Sequence, residues 1–217
     1  MFERLFRPAT RSPLIESAFR DISEMLDQAE RMLGLALGAL LEGKPLEVDL
    51  DDLDDVVDEG ERMVRRSVLE HLSFNPSQDL VASLVLVSMV QDAERLGDFA
   101  RGIPELVPLA RHPRSGPFCD QLSTLSRRLF PLFALTKRAF ADDDPEAGRQ
   151  VMATATELKA AYLEYTRRVA ESDLTADMAV VYSGAARSLR RVGAHLSNIA
   201  SSVVQPYDRI RHGDEEL

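Results

Sequence analysis

The residues of this chain whose type and spacing could do chemistry are carboxylates. Glu94 and Asp98 stand four apart in Asp92-Ala93-Glu94-Arg95-Leu96-Gly97-Asp98. Asp54 and Asp58 are also four apart, and Glu61 extends their line. Residues i and i+4 share a helix face, so two adjacent helices would turn four or five carboxylates toward one patch. Hard cations take oxygen ligands in such numbers, and iron or manganese accept them as well. Carboxylates crowded in this way repel one another, which raises their pKa values until a cation or protons neutralise them. The competing reading is a solvated acidic face. Gly97 weighs against it, because a glycine inside a helix costs about 1 kcal/mol relative to alanine and is explained by a close helix approach or a bound group.

Other chemistries find less support. The four histidines include no Glu-x-x-His pair, the spacing that marks ferritin-type di-iron bundles. His71 and His112 fall near expected helix ends, suited to a cap or a carbonyl, and His195 reads as a packing residue. Cys119 is the one cysteine, so neither an intrachain disulfide nor a cysteine-based zinc site can form. No Gly-rich phosphate loop and no G-x-S-x-G elbow occurs in the sequence.

The 217 residues are 45% hydrophobic and 29% charged, with a net charge of −10. That balance suits a globular chain with a substantial core. It disfavours nucleic acid as a partner, since duplex binders carry a basic face. No apolar run reaches the roughly 20 residues of a membrane span, and the start lacks a secretory apolar stretch; the expectation is a cytoplasmic protein. Eight of the thirteen residues from Asp49 to Glu61 are acidic.

Helix signals position these groups. Ser12-Pro13 opens a first helix, with apolar residues at helical spacing to Leu40 and Gly43 and Pro45 as its stop. A second runs from Asp49 to Leu72 along the seam Leu50, Leu53, Val57, Gly60, Val64 and Ser67. A third begins at a cap at Asn75-Pro76 and reaches about Gly102, apolar nearly all round from Leu80 to Val90. After the breaker cluster at 112–117 the spacing predicts three more helices. They run from Phe118 to Ala141, from the Asp144-Pro145 cap to Ala170, and from Ser172-Asp173 to Val204, with a frayed tail from Gln205. A shift of 96 residues superposes Arg95-Leu96-Gly97 on Arg191-Val192-Gly193, and Glu61 on Glu157. The expected fold is all-α, two tandem antiparallel three-helix bundles, with a first repeat over 12–110 and a degenerate second over 115–205.

The motif 92–98 resembles the ERIGD signature of the PhoU family, and Asp54-x-x-x-Asp58 resembles that family's other acidic motif. Glu61–Leu72 followed by Asn75-Pro76, and Gly193-Ala-His195-Leu-Ser-Asn198-Ile199-Ala200, are similar to further family stretches. The resemblance covers nearly the whole chain. It implies a non-enzymatic regulator of phosphate uptake and homeostasis, acting with a membrane phosphate transporter or a sensor histidine kinase. It also implies a possible divalent metal (Fe, Mn, Zn or Mg) held by Asp54, Asp58, Glu94 and Asp98, with Glu61 nearby. The second repeat departs from the pattern, offering Gln150, Thr154, Arg190 and Ala194 at the corresponding places. If metal binds, it is therefore expected in the first repeat only.

Two alternatives stand beside this reading: a metal-carboxylate enzyme and a metal-free helical scaffold. A homodimer is the expected assembly. Arg187, Arg190 and Arg191 form a basic patch suited to an acidic partner. Phe2, Leu5 and Phe6, interleaved with Arg4, Arg7 and Arg11, suit peripheral docking on a transporter or membrane.

Overall fold

A computed structural model describes residues 12–210, in seven α-helices with no strand among the described residues. Helix α1 (Pro13–Glu42) starts at Ser12, whose hydroxyl accepts the Ile15 N–H, and stops at Gly43 with φ 68°. Only a residue free of a Cβ takes that left-handed turn at no cost. Helix α2 (Leu50–Phe74) is capped by Asp49 and α6 (Pro145–Ala170) by Asp144, each through its own carboxylate. These three starts lie where the sequence places them.

Three boundaries differ. Asn75 does not cap α3. It ends α2, its N–H bonded to His71 O, and α3 (Leu80–Gly102) begins after Asp79 in a left-handed conformation. The proline at 76 keeps Asn75 out of helical geometry and so ends α2 there. It does not account for the later start of α3, since Ser12-Pro13 and Asp144-Pro145 are caps of the same kind. The helix expected over 118–141 is two, α4 (Pro117–Leu129) and α5 (Pro131–Asp142), since Pro131 has no N–H to continue the ladder. Helix α7 (Ala176–Ser201) starts after Thr175 rather than at Ser172-Asp173. Ser172 instead closes a turn, accepting Leu174 N–H and donating to Val169 O. In the described part of the tail, 205–210, a 3-10 turn spans Tyr207–Arg209 and Ile210 is buried rather than frayed; the remainder, 211–217, lies outside the described residues. The apolar-basic arm ending at Arg11 lies outside the described residues.

Helices α1, α2 and α3 pack on one another, α6 and α7 pack together with α4 and α5, and α3 against α7 joins the two groups. Helices α1, α3 and α7 supply most of the core. Helix α2 buries a narrow line, Leu50, Val57, Val64, Val68 and His71, and leaves the rest of its acidic surface outside. The corner between α2 and α3 is tied by His71. Its Nδ1 lies 3.1 Å from Ser12 Oγ and its Nε2 2.9 Å from Gln78 O, while Asp79 accepts the Ser12 N–H. His71 thus holds a helix end, as its sequence position suggests. The third helix is less enclosed than its apolar run predicts: Leu80, Leu84 and Val87 lie on an exposed face.

Candidate functional site: a carboxylate face between the second and third helices

The carboxylates expected to share a patch do face one another across the α2–α3 contact. Gly97 makes that contact possible. A Cβ there would lie 2.8 Å from Asp54 Oδ1 and 3.5 Å from Val57 Cγ1, so Asp54 rests on the bare backbone of α3. The Asp54 side chain is left 14% exposed and that of Glu94 19%.

Two arginines enter this face. Arg101, one turn beyond Asp98, holds its Nε 2.8 Å from Asp54 Oδ2, Nη1 3.3 Å from Asp51 Oδ1 and Nη2 3.6 Å from Asp98 Oδ1. Arg95 sits 2.7 Å from the other Asp98 oxygen and 3.5 Å from Glu94 Oε2. Glu61 is paired with Arg65 at 2.7 Å. Asp98 is therefore shared by two guanidinium groups, and Asp54 faces one.

The face is electrostatically uneven. Burial raises the Asp54 pKa; Arg101 opposes that, and Asp98, Asp58 and Asp51 add to it. Glu94 lies toward the end away from Arg101. Burial, and then the charges of Asp98, Glu61 and Asp58, push it up to about 7 against a weaker lowering by Arg95. A carboxyl at that value is half protonated near neutrality. The repulsion read from the sequence is thus present, relieved by a guanidinium at one end and by a proton at the other.

As placed, the five carboxylates do not make a coordination shell. Among the described residues no three His, Cys, Asp or Glu side chains converge on an ion position, and Arg101 stands among the oxygens a cation would need. The arrangement does not fit a divalent metal without moving that guanidinium. In the second repeat Glu157 pairs with Arg128 of α4 at 3.0 Å.

Sequence reasoning missed two residues here. Arg101 acts across helices, and only its i+3 relation to Asp98 hinted at it. Asp92 is 1% exposed. Its Oδ1 lies 2.8 Å from His195 Nδ1 and accepts the Asn198 side-chain N–H at 3.0 Å, pinning α3 to α7. The signal was an aspartate amid Met89, Val90, Ala93 and Leu96, an otherwise apolar line. His195 does pack, stacked on Phe99 at 5.5 Å between ring centroids, and it also makes this buried polar contact. Arg191 of the basic patch stays exposed and lies across the joint, 5.6 Å over the Phe99 ring and 3.3 Å from His195 Nε2.

Fold and face together define a tandem helical-bundle protein whose first repeat carries a carboxylate face and whose second keeps Glu157 alone at the corresponding places. The family model of the PhoU domain matches the chain twice, over residues 22–107 and 123–203. The chain belongs to the PhoU family. A relative, the phosphate-specific transport system accessory protein PhoU homolog of Deinococcus radiodurans, is 27% identical over 187 residues, covering 82% of this chain and 87% of its own. The crystal structure of PhoU from Pseudomonas aeruginosa shares the fold with a TM-score of 0.80 at 21% identity, covering 88% of this chain and 95% of that one. That of the phosphate transport system regulatory protein PhoU from Streptococcus pneumoniae has a TM-score of 0.76 at 16% identity, with coverages of 88% and 93%.

Proposed function

We propose that this chain is a non-enzymatic accessory regulator of phosphate uptake, acting through its helical surfaces on a membrane phosphate transporter or a sensor kinase coupled to it. The observation that carries the reading is the double match to the PhoU domain, supported by a relative named as an accessory protein of phosphate-specific transport. No described helix is long and apolar enough to cross a membrane, so contact with a transporter would run through surface groups. The carboxylate face suits a regulatory surface better than a reaction centre, because Asp54 and Asp98 are engaged with Arg101 and Arg95, and Glu61 with Arg65. Cross-linking in living cells tests this. A tagged chain should trap a phosphate-transporter subunit or its kinase, and a variant with exposed α2 acids reversed should trap less. Robust phosphoester turnover by the purified chain, abolished by Glu94→Ala, would overturn the reading.

A further inference from the structure

Helix α2 has a second acidic flank, turned away from α3 and toward α1. There Asp21, Glu24, Met25 and Gln28 of α1 face Asp55, Val56, Val57, Glu59, Gly60 and Met63 of α2 across an open groove of about 560 Å³. Gly60 creates its depth. A Cβ at that position would fall 2.7 Å from Met25 Cγ and 3.1 Å from Sδ, so any side chain would displace the methionine that forms the floor. Met25 and Val57 are buried beneath, while Val56 (58%) and Met63 (46%) stand exposed on the wall. Every ionisable group lining the groove is an acid: Asp21 and Glu24 on one rim, Asp55 and Glu59 on the other. Glu59 is paired with Arg62 at 2.8 Å. Asp21 Oδ2 is shielded from solvent and accepts no hydrogen bond from the described residues. Burial and the neighbouring Glu24 raise the Asp21 pKa, against a smaller lowering by Arg20.

An apolar floor between acidic rims selects its occupant. Phosphate, nucleotides and anionic lipid are disfavoured by the net negative charge of the rims, in which Glu59 is offset by Arg62. The lined stretches cover about two helical turns on each side, roughly 10 Å, the length over which an amphipathic helix sets its i, i+3, i+4 and i+7 anchors. Methionine walls adapt to such anchors, and lysine or arginine beside them would meet the exposed rim carboxylates of Glu24, Asp55 and Glu59.

We infer that the α1–α2 groove, floored by Met25 and Val57 and rimmed by Asp21, Glu24, Asp55 and Glu59, receives a cationic amphipathic helix of the protein's regulatory partner. This rests on the accessory-protein reading and gives it a docking point.

The test is fluorescence anisotropy of the full chain with a labelled 14-residue peptide, Leu-Lys-Lys-Leu-Leu-Lys-Leu-Leu-Lys-Lys-Leu-Leu-Lys-Leu. Asp55→Lys on the rim and Met63→Gln on the wall should each weaken binding about tenfold. Glu164→Lys, an equal charge change on α6, should leave it within roughly twofold, and replacing the leucines by serine should abolish it. Thermal melts show that the variants fold, which their exposed positions favour. The proposal is overturned if Glu164→Lys weakens binding as much as Asp55→Lys, if Met63→Gln has no effect, or if the peptide binds only after residues 1–11 are deleted. That last result would assign the groove to the chain's own basic segment. The titration makes no reference to phosphate, so its failure is separable from failure of the accessory-protein reading, which cellular cross-linking and uptake decide.

Discussion

Glu94 and Arg101 divide the carboxylate face between a proton and a guanidinium, and each leads to a measurement. Glu94 sits at about 7 in the folded chain against an ordinary 4.5. The folded state therefore holds more protons than the unfolded one between those values, and stability falls as pH rises through that window. Solvent screening at this partly exposed group reduces the effect to the order of 1 kcal/mol. Denaturant titrations from pH 5 to pH 8 should show that fall in the wild type, and Glu94→Gln should flatten it. Arg101 makes the complementary case. If it serves as the internal cation of Asp51, Asp54 and Asp98, Arg101→Met should destabilise the fold at low salt and also free the carboxylates for a divalent ion. Thermal melts with Mn²⁺ or Mg²⁺ should then shift the variant upward by a few degrees more than the wild type. An equal shift in both would remove Arg101 from this role.

At the scale of the element, the α2–α3 contact turns on one missing methyl group. Gly97→Ala gains helix propensity of up to about 1 kcal/mol, yet its Cβ would press on Asp54 Oδ1 and disturb the pair with Arg101. The two effects separate in a double-mutant cycle. Gly97→Ala should destabilise the wild type by about 1 kcal/mol and stabilise an Asp54→Ser background, as read by urea midpoints. Additive effects would show that the two residues do not meet. The same local view explains what was legible in the sequence. Ser12, Asp49 and Asp144 cap helices through bonds spanning two or three residues, so their neighbours suffice to find them. Asn75 has the residue type of a cap, but its N–H closes α2 on His71 O and α3 begins only after Asp79. Apolar spacing continues straight across Pro131, which hides the break between α4 and α5. The carboxylate pairs were readable because i, i+4 spacing is local. Arg101 and Asp92 were not, because their partners are fixed by helix packing, where sequence distance carries little information. The groove was hidden for the same reason: Gly60 looked like part of a packing seam, and only the position of Met25 beneath it gives its absent side chain a meaning.

At the scale of the whole molecule, two unequal repeats are joined by α3 and α7. The Asp92–His195 contact lies in that joint, with Asn198 beside it and Arg191 over Phe99 nearby. The acidic repeat presents two charged surfaces, the carboxylate face toward α3 and the groove toward α1. At the corresponding places the second repeat offers Gln150, Thr154, Arg190 and Ala194, so both carboxylate surfaces sit on the first repeat. That polarity suits a protein whose output is a contact made by one repeat. The claim that this contact regulates phosphate entry is tested most directly by radiolabelled phosphate uptake in cells from which the chain has been deleted, grown in phosphate excess. Uptake should be deranged, and it should return to normal with the wild-type chain and only partly with a chain carrying Asp55→Lys and Met63→Gln. Normal uptake in the deleted cells, at every external phosphate concentration, would contradict the account.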